Sequence, residues 1–105
     1  MVRDIYLAEI MFTDESRIKI RPILLIQENS FRDYVFLPLT SNLNAKGITI
    51  DNPNIESGYL PKQSVVIIEK ISVISPALLI KRIATLNEIT YQKILAELRK
   101  FLSNS

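Results

Sequence analysis

A chain of 105 residues of which 48% are apolar folds as a single domain, and the apolar share is high enough that part of it is expected in a subunit interface. A net charge of +2 excludes a global basic field; no apolar run approaches a membrane span and no signal-peptide pattern opens the chain, so a cytoplasmic protein is expected. Cysteine and histidine are both absent, which excludes disulfides, thiolate nucleophiles, a Ser-His-Asp triad, paired-histidine acid–base chemistry and metal sites built on those residues. An enzyme made from this chain works with carboxylates, hydroxyls, Lys, Tyr or Arg.

Asp4 to Phe12 has the composition of a strand, with charge at either end of its apolar run. Thr13 to Lys19 follows as a polar loop carrying Asp14, Glu15, Arg17 and Lys19; its place just before Arg21 makes it a candidate flap. Arg21-Pro22-Ile23-Leu24-Leu25-Ile26-Gln27 holds four consecutive apolar residues between polar ones, the mark of a strand covered on both faces. Tyr34 to Leu39 is a second, aromatic-rich strand. A hairpin with loop Asn29 to Arg32 sets residue 28 opposite 33 and, carried outward, Arg21 opposite Thr40. Paired residues have Cβ atoms about 5 Å apart on one face, so a permanent cation and a hydroxyl meet at the open end; a slip of one residue would part them.

From Ser41 to Lys62 the chain is at its most polar and contains both glycines, with Ile48-Thr49-Ile50 as a short edge strand. Gln63 to Ile74 is densely β-branched and reads as one long central strand, bent near Glu69-Lys70. Ser75-Pro76 ends it and opens a short helical turn over Ala77 to Leu79. Ile80 to Leu86 is extended again. Asn87 suits an N-cap, Glu88 the first turn, and Lys100 the last turn of a closing helix. On that helix Tyr91, Ile94, Leu95, Leu98, Phe101 and Leu102 form an apolar stripe assigned to the core. Short strands, one late helix and no βαβ alternation predict a mainly β fold, a small bent sheet or barrel with a C-terminal helix. Pro22 and Pro38 place the Arg21/Thr40 end at its rim.

Asp4-Ile5-Tyr6, Arg21-Pro22-Ile23-Leu24-Leu25-Ile26-Gln27, Pro38-Leu39-Thr40-Ser41, Ser64-Val65-Val66-Ile67-Ile68-Glu69-Lys70-Ile71 and Lys81-Arg82-Ile83-Ala84-Thr85-Leu86 stand in the order and at spacings that resemble the MazF/PemK family of toxin endoribonucleases. The resemblance covers nearly the whole chain. It implies an SH3-like small barrel of the type shared with the CcdB gyrase poisons, a homodimer, no cofactor and no metal, single-stranded mRNA as substrate, and a cognate antitoxin. By position it carries catalysis to Arg21, Thr40 and Glu69, with Ser41, Gln27, Lys70, Arg17 and Lys19 as candidate substrate contacts. The chain departs from the family's pattern at Arg3, where relatives usually have glycine, in a first loop without glycine, and at Ser72 and Ser75, where an arginine and an aspartate are common. An RNA- or protein-binding module with weak or lost catalysis is therefore the competing expectation. A gyrase poison is disfavoured, since the chain lacks tryptophan and the Trp-Gly-Ile ending of CcdB.

Overall fold

The computed structural model describes residues 2–12 and 17–104. Eight strands and one helix follow in the order β1 (Asp4–Phe12), β2 (Arg17–Glu28), β3 (Tyr34–Thr40), β4 (Ile48–Ile50), β5 (Ile55–Gly58), β6 (Ser64–Val66), β7 (Ser72–Ile74), β8 (Leu79–Leu86) and α1 (Glu88–Leu102). The strands form one curled, half-closed sheet in the order β4-β6-β3-β2-β1-β8-β5, with β7 pairing β3 beside that path, and every pairing is antiparallel. This is the expected mainly β architecture with its closing helix.

The buried run Ile23-Leu24-Leu25-Ile26 is covered on both sides. Leu24 and Ile26 belong to the core beneath α1, with Leu37, Leu86, Ile94 and Leu98; Ile23 and Leu25 belong to a second cluster with Ala8, Phe36 and Ile74. Alternation along a strand sends successive side chains to opposite faces, so a four-residue apolar run requires two cores. Helix α1 starts at Asn87, whose Oδ1 accepts from the Thr90 N–H at 2.9 Å. Of its stripe, Tyr91, Ile94 and Leu98 are buried, Leu95 and Phe101 are partly covered, and Leu102 is exposed at the frayed end.

Three expectations need correction. Arg17 to Lys19 is not loop: these residues extend β2 and pair with β1, Arg17 facing Phe12 and Lys19 facing Ile10. The rest of the expected flap, 13–16, lies outside the described residues. The long strand over Gln63 to Ile74 is broken into β6, a 3-10 turn at Ile68–Lys70, and β7. Both pieces pair with β3: between Phe36/Ser72 and Leu39/Val66, β3 advances three residues while its partner uses six, so three loop out as the turn. Finally, β5 lies in a stretch read as loop, pairing β8 so closely that a Cβ on Gly58 (φ +82) would sit 2.3 Å from the Ile83 carbonyl oxygen.

The β2–β3 hairpin shows two departures that cancel. The loop is one residue longer than expected, and Glu28 faces Tyr34. Asn29 organises it, its Oδ1 accepting from the N–H groups of Phe31 and Asp33, while Arg32 takes a left-handed φ of +66. A bulge between Leu25 and Gln27 then absorbs the extra residue, restoring Leu24 opposite Leu37 and Ile23 opposite Pro38. The Tyr91 hydroxyl donates to the Ile26 carbonyl at 3.0 Å, so α1 supplies the bulged residue with a hydrogen bond.

Candidate active site

The β2–β3 ladder stops at Ile23/Pro38, flanked by two prolines with no N–H to extend it. Beyond that row β2 continues along β1, with Arg21 opposite Ala8, while β3 swings to β6, with Thr40 opposite Val65. The Pro38 carbonyl accepts from the Ile67 N–H at 2.9 Å and so holds the swing. Between the parting strands lies a cleft of about 910 Å³, within the range typical of ligand sites. Continuing the register outward from Ile23/Pro38 sets Arg21 on one lip and Thr40 on the other.

Arg21, Thr40, Ser41 and Lys70 all line this cleft. Thr40 Oγ1 accepts from the Asn42 N–H at 3.1 Å, which fixes its rotamer and leaves its own proton for donation. Glu69 does not line the cleft. Because the expected strand breaks into a turn there, Lys70 enters the cleft while Glu69 lines a separate crevice beside α1, where it accepts from the Lys46 Nζ at 2.8 Å. That bond is the main reason the Lys46 amine is pushed above its usual value. Gln27 lies beyond the bulge, exposed at the far end of the hairpin, and Arg17 and Lys19 lie further out on β2 than the cleft lining reaches. The unbroken β1–β2 register nonetheless puts Arg17, Lys19 and Arg21 on one face of the arm.

Sequence reasoning missed Asn42, Lys62 and Ser64, which also line the cleft. They come from the polar stretch before β6 and from its first residue. Neither periodicity nor spacing marks them; they reach the site because β6 docks against the end of β3. The cleft walls are apolar, with Phe36, Pro22, Pro38 and Leu60, and none of the described lining residues is a carboxylate. Three cations, Arg21, Lys62 and Lys70, therefore face a partly apolar cavity, an arrangement suited to an anionic ligand.

A model of the PemK-like, MazF-like toxins of type II toxin-antitoxin systems matches residues 2–102. The chain belongs to this family. Among solved structures, the Mycobacterium tuberculosis toxin MazF-mt6 has a similar fold, with a TM-score of 0.67, 24% identity and 91% of each chain covered. A comparison with curated proteins found no match. Members of the PemK/MazF family are endoribonucleases.

Several of this toxin's departures from the family pattern have structural explanations. Arg3, in place of the usual glycine, adopts φ +71, a conformation glycine enters freely. Its guanidinium bonds Glu56 at 3.2 Å and the Leu86 carbonyl at 3.1 Å and lies 3.4 Å from Glu88, tying β5, β8 and α1 to the N-terminus. Asp4 accepts from the Thr85 hydroxyl at 2.6 Å, so two of the segments that carry the resemblance meet across β1 and β8. Ser72, where an arginine is common, lines the cleft and donates to the Lys70 carbonyl at 2.9 Å. Ser75 caps the turn at Pro76–Leu78 by accepting from the Ala77 N–H.

Proposed function

We propose that this toxin cleaves single-stranded mRNA by transesterification at the cleft between β2 and β3, without a metal ion. The observation that carries this reading is the convergence of Arg21 and Thr40 on one cleft with no carboxylate among its described lining residues. In such a reaction the ribose 2′-oxygen forms a bond to the adjacent phosphorus and the bond to the 5′-oxygen breaks. The products are a 2′,3′-cyclic phosphate and a 5′-hydroxyl. The transition state gathers negative charge on the non-bridging oxygens. Arg21 offers a planar, permanently charged fork of donors to those oxygens, and the Thr40 hydroxyl and Ser41 add neutral donors.

Proton transfer follows from the same composition. Glu69, engaged with Lys46 in the neighbouring crevice, is set apart from the reacting phosphate, so the 2′-proton passes to solvent rather than to that carboxylate. Lys70 would hold the product or substrate phosphate from the opposite wall, and Arg17 and Lys19 would guide RNA along the arm outside the cleft. Exposed Met11 and Ile18, paired across the arm, and neighbouring Ile20 provide apolar surface for a homodimer contact. A cognate antitoxin would silence the toxin.

The test is incubation of mixed-sequence RNA with the protein in EDTA. Fragments ending in 2′,3′-cyclic phosphate, absent with the Arg21→Ala protein, support the proposal. Binding without cleavage would select the inactive-module reading, and cleavage only with added divalent metal would refute the metal-free route.

A further inference from the structure

The segment before β6 is held more firmly than its polar composition suggests. Asn52 grips Leu60 twice: its Nδ2 donates to the Leu60 carbonyl and its Oδ1 accepts from the Leu60 N–H, both at 2.9 Å. Leu60 is buried in the core beneath α1. Asn52 itself opens a short 3-10 turn capped by Asp51, and Asn54 in that turn donates to the buried Thr90 hydroxyl at 3.1 Å. On the other side, the Ser64 hydroxyl donates to the Lys62 carbonyl at 2.9 Å, and Ser64 is buried. Pro61 stiffens the step between. Lys62 is thus an exposed side chain on a backbone fixed at both flanks.

That lysine lines the same cleft as Arg21 and Thr40. Among the described residues its ammonium meets no carboxylate: the nearby Lys46 is neutralised by Glu69, but no such partner faces Lys62. An unneutralised cation on a rigid lip, opposite an arginine and above apolar walls, costs electrostatic free energy unless an anion arrives to share the cavity.

We propose that Lys62 is a second phosphate-binding residue of the toxin, taking a phosphate next to the one that reacts at Arg21, and that the Asn52–Leu60 clamp positions it. The inference rests on the RNA-cleavage reading above and extends it: the productive substrate spans at least two phosphodiesters. Lys62 then contributes to binding substrate and transition state alike, so its loss raises KM and leaves kcat nearly unchanged.

The experiment compares wild type, Lys62→Ala, Lys62→Arg and Asn52→Ala. It measures steady-state cleavage of a single-stranded RNA and binding of its uncleavable 2′-deoxy analogue across a salt series. For Lys62→Ala the expected result is a KM about ten-fold higher with kcat within two-fold, a size consistent with one lost phosphate contact. The slope of log affinity against log salt should become shallower by about 0.7, the value for one phosphate contact to a single strand. Lys62→Arg should restore both, and Asn52→Ala should raise KM in the same direction while circular dichroism shows the fold retained. A wild type that cleaves, together with a Lys62→Ala protein of unchanged KM and unchanged salt slope, overturns the inference and leaves the cleavage reading standing. A wild type that neither binds nor cleaves RNA overturns both.

Discussion

Replacing Tyr91 by Phe removes one oxygen from a helix and tests how the sheet keeps its register. The Tyr91 hydroxyl is the donor to the carbonyl of Ile26, the extra residue in the β2 bulge. Without it that carbonyl is left in a buried setting, beneath a side chain only 6% exposed, with no route to water. An unsatisfied buried acceptor costs about 1–3 kcal/mol, and the lower half of that range fits a carbonyl that loses one of two acceptor sites. About 1–2 kcal/mol lowers the Tm of a domain this size by roughly 4–16 °C. Urea unfolding should show the loss as a lower midpoint at unchanged m-value. Amide exchange at Leu25 and Gln27 should quicken more than at Ile5 or Ile94. A Tyr91→Phe protein as stable as wild type, with equal protection at the bulge, would refute the idea that α1 pins the bulged residue.

Other consequences are checkable on the same footing. Burial, and secondarily Glu88, pushes the Tyr91 phenol above its usual value, and burial does the same for Tyr34 beside Glu28. A raised folded-state value means that stability is fully present below the unfolded tyrosine value near 10 and is lost as pH rises through the folded value. The urea midpoint should therefore hold level from pH 7 to 9 and fall above about 10, with a shallower fall in Tyr91→Phe. Arg3→Gly relieves the left-handed backbone at the expense of the contacts to Glu56, Glu88 and Leu86, whereas Arg3→Ala loses the contacts and keeps the strain. Thermal melts should rank Arg3→Ala below Arg3→Gly by about 1 kcal/mol. Glu69→Gln should leave cleavage within about two-fold, because its carboxylate serves Lys46 outside the cleft; a hundred-fold loss would restore it to the mechanism.

What was legible in the chain and what was not divides along physical lines. β1, α1 and the two-sided burial of Ile23 to Ile26 follow from local pattern, because apolar period and an Asn cap are properties of adjacent residues. The Arg21/Thr40 juxtaposition was also legible, although by a register that skips a longer loop and a bulge whose errors offset each other. Nothing in a run such as Gln63 to Ile74 announces that β3 will pair it twice and eject three residues between, since that is decided by the partner strand. The break moves Glu69 out of the cleft and leaves Lys70 in it. Lys62 and Asn42 were invisible for a related reason: polar residues in a polar stretch acquire a role only when the Asn52 clamp and β6 bring them to the end of β3.

The account turns on Arg21 and Thr40 acting on the same phosphate, and a double-mutant cycle on single-turnover RNA cleavage measures that directly. Arg21→Ala should lose on the order of 3 kcal/mol of transition-state stabilisation, a hundred-fold or more in rate, and Thr40→Val about ten-fold. If both groups serve one developing charge, the double variant should be markedly faster than the product of the single losses implies. Strictly multiplicative losses, or an Arg21→Ala protein that cleaves at the wild-type rate, would contradict the account.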